Sequence, residues 1–378
     1  MILNAIKQME RYARNTSDVI SLSQGIPFLN SDNSIREAVV NALLHNNVDA
    51  YSDPQGLLIL REKISEMLYM DNMNYSEGEI IVSAGATEAL MATFLSLITS
   101  QKNEVLIPTP TYSAYFRIAE NAKGKIIPVP LTEKEGWKLD INFLKKKITT
   151  DTSIILLCNP NNPTGSIYSK EELLEVCLLA KKNDAVVVLD EVYGEMLFDN
   201  NKIYTPCVLS ELKANIIRVV SFSKDFSLTG WRVAFLHSDK RIIQKIIPVH
   251  DAIINCAPVI SQYAALAAIE NRDRILSANE IIYTQQRDIM KSYLDDLKPF
   301  LEYSMPKGAY FFFPKFIKKQ NVEDFCFRLL KKGHVAIVPG TDFGPGGEDH
   351  IRLCFGREKE DIIKGMERLS KYLYNSRL

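Results

Sequence analysis

A chain of 378 residues is too long for one small core and suggests about two domains. Its 46% apolar and 24% charged residues are ordinary for a soluble globular protein, and a net charge of −1 gives no electrostatic reason to expect a nucleic-acid or membrane partner. Six scattered cysteines without a C-x-x-C pair, and five histidines without ligand spacing, point away from a disulfide framework or a metal site. The opening MILNAIKQMERYARN has no signal-peptide apolar core, and no apolar run is long enough to span a bilayer, so a cytoplasmic protein is expected.

In chain order, SIREAVVNALLHN (34–46) and GLLILREKISEMLYM (56–70) carry apolar residues at helical spacing. EIIVSAG, TEALMATFLSLIT, EVLIPTP, TYSAYFRIAENA and KIIPVPL then read as strand, helix, strand, helix, strand. INFLKKKI follows as a helix, SIILLCNP as a strand and KEELLEVCLLAKKN as a helix. AVVVLDEVY, IIRVVSFS and RVAFLHS are three more strands. Short β-branched runs without polar alternation suit a sheet buried on both faces, and their alternation with helices predicts a mostly parallel α/β sheet. After about residue 270 the pattern changes: RDRILSANEIIYTQQRDIMKSYLDDLKPF reads as one long helix, with room for one break, and the segments beyond it suggest a small α+β domain.

Ligands of open α/β sheets bind beyond the carboxyl ends of the strands. Five polar or Gly-rich groups follow apolar strands here: Gly85-Ala86-Thr87, Tyr112, NPNNPTG (159–165), Asp190 with Tyr193, and Ser221 to Lys224. Each alone could be a plain turn, a cap or a solvated cation; on one rim of one sheet they form a candidate site.

SFSKDFSLTGWRVA, NPNNPTG and LDEVYGE, in that ordered set, resemble the signatures of the class I/II aminotransferase family of pyridoxal 5'-phosphate (PLP) enzymes, and the resemblance runs from SLSQGIPF to HIRLCFG. It implies a fold type I α/β architecture, with a mostly parallel seven-stranded sheet in a large PLP-binding domain (31–283). A smaller α+β domain (284–378) and an N-terminal segment (1–30) packing with it would complete the chain. By the same resemblance Lys224 is the Schiff-base lysine and proton carrier, while Ser221, Arg232 and the N–H groups of Gly85, Ala86 and Thr87 hold the cofactor phosphate. Asp190 would face the ring nitrogen, Asn162 and Tyr193 the phenolic oxygen, and Tyr112 the ring face. Tyr51 is similar to the tyrosine that reaches the phosphate of a neighbouring subunit, which implies a homodimer.

Arg352 matches the family arginine that grips the α-carboxylate of an amino-acid substrate, and Gly25 would let the N-terminal segment pass close to it. On residues alone Arg352 reads equally as a strand-end arginine in solvent, and Gly25 as a turn with no ligand nearby. The implied activity is an aminotransferase exchanging an amino group with a 2-oxo acid through an external aldimine. Elimination, replacement or cyclisation, as in an arginine-derived cyclic amino acid synthase, uses the same cofactor residues. A binding or regulatory protein that has lost catalysis is disfavoured by the intact Lys224, Asp190 and Arg232. A nicotinamide dehydrogenase is disfavoured because no G-x-G-x-x-G follows the first strand. Thr87 stands where some bacterial aspartate aminotransferases use a lysine to read a distal carboxylate, so this position gives no support to a dicarboxylate preference. Asp53 and Asp225 could favour a cationic substrate, but two surface acids is the simpler expectation.

Overall fold

The structure is a computed structural model and describes residues 5–375. Its centre is a sheet that, among the described residues, has eight strands. Their order is Ile80–Ser83, Ala234–His237, Ile216–Ser221, Val186–Asp190, Thr152–Cys158, Glu104–Thr109, Lys125–Thr132 and Lys138–Leu139. The five strands from Ile216–Ser221 to Lys125–Thr132 run parallel, while Ala234–His237 and Lys138–Leu139 pair antiparallel to their neighbours. The expected seven strands become eight because Lys138–Leu139 closes one edge. Two residues are too few to show a periodic pattern, which is why that edge was absent from the expectation.

Strand residues alternate between two apolar layers, as the two-residue period of a strand requires. Val105, Ile107, Ile154, Leu156, Val188 and Ile217 pack into one layer. Leu106, Ile155, Leu157, Val187, Leu189 and Ile216 pack into the other. Both faces of the central strands are largely dry, so most of their positions are apolar and the runs show no polar alternation; Arg218, mid-strand and buried, is paired with Glu191.

Local signals set the flanking helices. Ser169 caps Lys170–Lys182 by accepting from the Glu172 N–H at 3.2 Å, while Glu172 accepts from the Ser169 N–H at 2.7 Å, a reciprocal capping box. Asp32 caps Asn33–His45 through the Ser34 N–H. Arg272–Asp296 is one unbroken helix of 25 residues. Lys240–Ile254 and Val259–Glu270 are helices for which the sequence reading assigned no element.

A third apolar cluster joins Met9 and Leu22 to Met290, Leu294, Phe311, Phe325, Val335, Leu353 and Met366. Strands Phe311–Phe312, Ile351–Cys354 and Val338–Pro339 form an antiparallel sheet inside it. Ile20–Ser21 pairs in parallel with Val335–Ala336. This pairing leads the segment after the N-terminal helix Ala5–Arg14 past the carboxyl ends of the central strands.

Candidate active site

Those carboxyl ends open into a cavity of about 540 Å³. Ala86, Thr87, Tyr112, Asn162, Asp190, Tyr193, Ser221, Lys224, Arg232, Arg352 and Gly25 all line it. Gly85 lies just behind its wall and begins the helix Ala86–Leu97 at φ +84°, a left-handed value that suits glycine. A β-carbon at Gly85 would come within 2.3 Å of the Arg232 Nη2 atom, so the glycine makes room for the guanidinium. Arg232 itself sits at φ +51°, uncommon for a side chain of its size, and donates to the Thr229 carbonyl at 3.0 Å. The Gly85 N–H already donates to the Ser83 carbonyl at 2.8 Å, so the donors offered to an anion here are the N–H groups of Ala86 and Thr87 and the exposed guanidinium.

Asp190 ends its strand directly opposite Cys158 on the neighbouring strand. It is buried; Oδ2 accepts from the Tyr115 hydroxyl at 2.7 Å and Oδ1 from the Val192 N–H at 3.2 Å. Burial pushes its carboxyl up to about 6, and the Tyr115 hydrogen bond opposes that shift by favouring the charged form. Lys224 lies one short helical turn beyond Ser221, whose hydroxyl accepts from the Ser223 N–H. The lysine amine donates to the Gly25 carbonyl, which also accepts from the Tyr310 hydroxyl at 3.1 Å. Burial pulls the amine down to about 8, helped by the positive charges of Arg352 and Arg232 and opposed by Cys354 and Asp225. Its nitrogen therefore gives up a proton far more readily than a surface lysine does.

Arg352 is 1% exposed, which replaces the alternative of a strand-end arginine in solvent. Its Nη1 donates to Asn162 Oδ1 at 2.9 Å and its Nη2 to the Ser23 carbonyl. The guanidinium lies over the rings of Phe311 and Phe343, 4.3 and 4.9 Å from their centroids. Its Nε has no partner, and no ion pair between Arg352 and a carboxylate occurs among the described residues. A buried cation held by neutral groups, with a donor to spare, is a site for an anion. Gly25 is a close approach rather than a free turn, since a β-carbon there would meet the Phe311 ring at 2.6 Å.

Tyr193 packs edge-on against Tyr310 and Phe311, and Tyr112 edge-on against Tyr115. Several cavity residues were missing from the sequence reading, Tyr115 and Cys158 among them. Tyr115 holds Asp190 from the first turn of the helix Ala114–Asn121, where its spacing reads as that of a core residue. Cys158 lines the cavity, with its thiol pushed up to about 12 by burial.

Three candidates lie elsewhere. Tyr51 is 82% exposed and does not reach its own chain's cavity. Asp53 is exposed and closes a local turn by accepting from the Gln55 N–H at 2.8 Å. Asp225 corrects the surface-acid expectation: it is 2% exposed and faces away from the cavity, toward Glu195, Asn279 and Tyr283. Burial, with the negative charge of Glu195 nearby, pushes its carboxyl well above the usual carboxylate range.

Residues 17–369 match the family described as Aminotransferase class I and II. The chain belongs to that family. Aspartate aminotransferase of Pyrococcus abyssi is 32% identical over 99% of this chain and 96% of its own length. The solved aromatic aminotransferase of Pyrococcus horikoshii OT3 superposes with a TM-score of 0.90 at 31% identity, covering 98% of this chain and 99% of that one. The aspartate aminotransferase of Thermus thermophilus with maleate gives 0.92 at 27% identity, covering 98% and 97%. These aminotransferases share the fold type I architecture and carry names from two substrate classes. The family is one of PLP enzymes, and the donor set of this cavity suits that cofactor: an amine of lowered basicity, a buried carboxylate, and a glycine cleared for an arginine at a helix start. Among the described residues no cluster of His, Cys, Asp and Glu could hold a metal ion, and no helix is long and apolar enough to cross a membrane.

Proposed function

We propose that this aminotransferase moves the amino group of an L-amino acid to a 2-oxo acid, with PLP carried covalently on Lys224. PLP supplies an electron sink for negative charge at the substrate α-carbon. The observation that carries the reading is Arg352: a buried guanidinium with an unused Nε, lining the same cavity as a lysine of lowered basicity. Arg352 and Asn162 would hold the α-carboxylate of the substrate and turn its α-hydrogen toward Lys224. The free Lys224 amine, neutral above about pH 8, would then take that proton from the α-carbon of the donor amino acid. In the return half of the exchange it would deliver a proton to the α-carbon of the amino acid formed from the acceptor 2-oxo acid.

The other residues divide the work of binding. Arg232, Ser221 and the N–H groups of Ala86 and Thr87 would hold the cofactor phosphate, with Gly85 clearing space for the Arg232 guanidinium. Asp190, ionised at neutral pH and steadied by Tyr115, would keep a proton on the ring nitrogen. Tyr193 and Asn162 would donate to the phenolic oxygen, and Tyr112 would cover the ring. Tyr51 would complete the phosphate site of a second copy of the chain. Leu43, Leu44, Tyr69 and Met70, on the two helices that flank Tyr51 in the chain, are exposed as well, apolar side chains that a homodimer would cover. Six buried, unpaired cysteines suit a reducing cytoplasm.

Purified protein should show the absorbance of bound PLP, and Lys224→Ala should abolish the covalent form. An amino-acid panel assayed with and without a 2-oxo acid tests the reaction: turnover should require the oxo acid. Turnover that proceeds without it would reject transamination in favour of elimination or cyclisation, and a protein that takes up no PLP would reject the whole reading.

A further inference from the structure

His250, on the helix Lys240–Ile254, is fully buried, and both of its ring nitrogens meet acceptors. Nδ1 lies 3.0 Å from Glu88 Oε1, and Nε2 lies 2.9 Å from the Pro54 carbonyl. Neither partner has a proton to give: one is a carbonyl, and the other a carboxylate whose Oε2 already accepts from the Ala84 N–H at 3.1 Å. A neutral imidazole carries one N–H, so filling both contacts takes the imidazolium. The Glu88 side chain is 9% exposed, which leaves the pair largely out of water. The other charged groups on the elements packed here are engaged or turned outward. Asp53 accepts from the Gln55 N–H, Glu79 pairs with Lys213 at 2.7 Å, and Arg232 donates to the Thr229 and Ala84 carbonyls. Lys245 and Asp251, on the same helix as His250, are exposed.

We propose that His250 is a positioning residue for the cofactor phosphate: as an imidazolium it neutralises Glu88 and ties the phosphate-binding turn to the loop 51–56. The inference rests on the proposed function, which puts that phosphate at the N–H groups of Ala86 and Thr87. Glu88 is the next residue in the chain, and its carboxylate folds back onto the Ala84 N–H. Left uncompensated, its charge would repel a phosphate from within the same turn, where the helix start otherwise attracts one. The imidazolium cancels that charge without entering the site, since neither His250 nor Glu88 lines the cavity. Through Nε2 the same ring fixes the loop 51–56 at Pro54. Gln262, buried on the following helix, holds the loop on either side: it donates to the Ser52 hydroxyl at 3.1 Å and accepts from the Leu57 N–H at 2.7 Å. The phosphate turn and the loop that carries Tyr51 are thus joined through one buried side chain.

The test compares pyridoxamine 5'-phosphate with pyridoxamine, which differ by the phosphate and form no bond with Lys224. Each is titrated by calorimetry into the apoprotein, and the ratio of the two affinities reads the phosphate site. His250→Phe keeps a ring but leaves Glu88 charged and unpaired, so it should lower that ratio about ten-fold. Adding Glu88→Gln should restore most of the ratio, because no charge is left to repel the phosphate. A side chain that only filled space would not be rescued in this way. A ratio that survives His250→Phe, or one that Glu88→Gln fails to restore, overturns the role of His250. If His250→Phe does not fold, histidine nitrogen NMR at pH 7 decides on the unmodified protein and on Glu88→Gln. One histidine should carry protons on both ring nitrogens in the first and lose one of them in the second. No such ring, or one that Glu88→Gln leaves unaltered, sinks the proposal. An unmodified protein that binds both probes alike, or takes up no PLP, brings down the reading of the phosphate site and this inference with it. If it binds the phosphate form more tightly and the variants alone depart from expectation, the failure belongs to His250.

Discussion

Asp190 shows how a single hydroxyl can tune the site. Its carboxyl is pushed up to about 6 by burial, and Tyr115 holds it below where burial alone would leave it. Removing that hydroxyl removes a donor that favours the ionised form, so the carboxyl should rise further. Tyr115→Phe is therefore expected to move the acid limb of the kcat–pH profile upward from about 6, while activity on the plateau falls less than it does for Asp190→Asn. Rate profiles between pH 5 and 9 would check this, and an unmoved acid limb would separate Tyr115 from the ionisation of Asp190. Residues of the site that end a strand, such as Asp190 and Lys224, were legible in the sequence because an apolar run announces each one. Tyr115 was not, because inside TYSAYFRIAENA it has the spacing of a core residue. Asp225 was misread for a related reason: sequence gives an acid no direction, and only the fold turns it inward.

At the scale of elements, the start of the helix Ala86–Leu97 joins backbone conformation to charge. Gly85 combines a left-handed φ with the near contact of Arg232, so a side chain there is strained twice. Gly85→Ala should displace the guanidinium and weaken PLP binding by roughly ten-fold or more, equivalent to about 1–3 kcal/mol of strain. Titration of the apoprotein with PLP measures this, and unchanged affinity would show that Arg232 can move at no cost. Most strands and helices between residues 34 and 237 were legible because dry strands are mostly apolar and helices carry caps such as Ser169. The helix Lys240–Ile254 was less so, since it carries Pro248 in its interior, which reads as a break. Burial of Ile242, Ile243 and Ile246 holds the helix despite it.

On the scale of the whole molecule, the exposed Tyr51 and the exposed apolar residues of the two flanking helices make a prediction about two chains rather than one. Leu44→Glu combined with Met70→Glu should shift the protein toward a monomer in sedimentation and lower its activity together with its PLP content. A sharper version mixes two inactive proteins, Lys224→Ala and Tyr51→Ala, and lets their subunits exchange. Each mixed dimer would contain one site with both residues intact, so activity should return to a sizeable fraction of the unmodified level. No recovery, in mixtures shown to contain mixed dimers, would mean that Tyr51 serves no neighbouring site. The order of the strands and their closing edge were beyond the sequence, because they depend on contacts between segments far apart in the chain.

The six cysteines, all buried, turn the protein into its own reporter. Cys158 lines the cavity, Cys177 and Cys207 lie in the core beside the central sheet, and Cys326 and Cys354 in the carboxyl-terminal cluster. A small thiol reagent should therefore label them in an order set by how each region opens. PLP would slow labelling at Cys158 most, whereas Cys177 and Cys326 would follow the unfolding of their own layers. Peptide mapping of such a time course would record cofactor loading and regional opening from one sample, with no engineered reporter site.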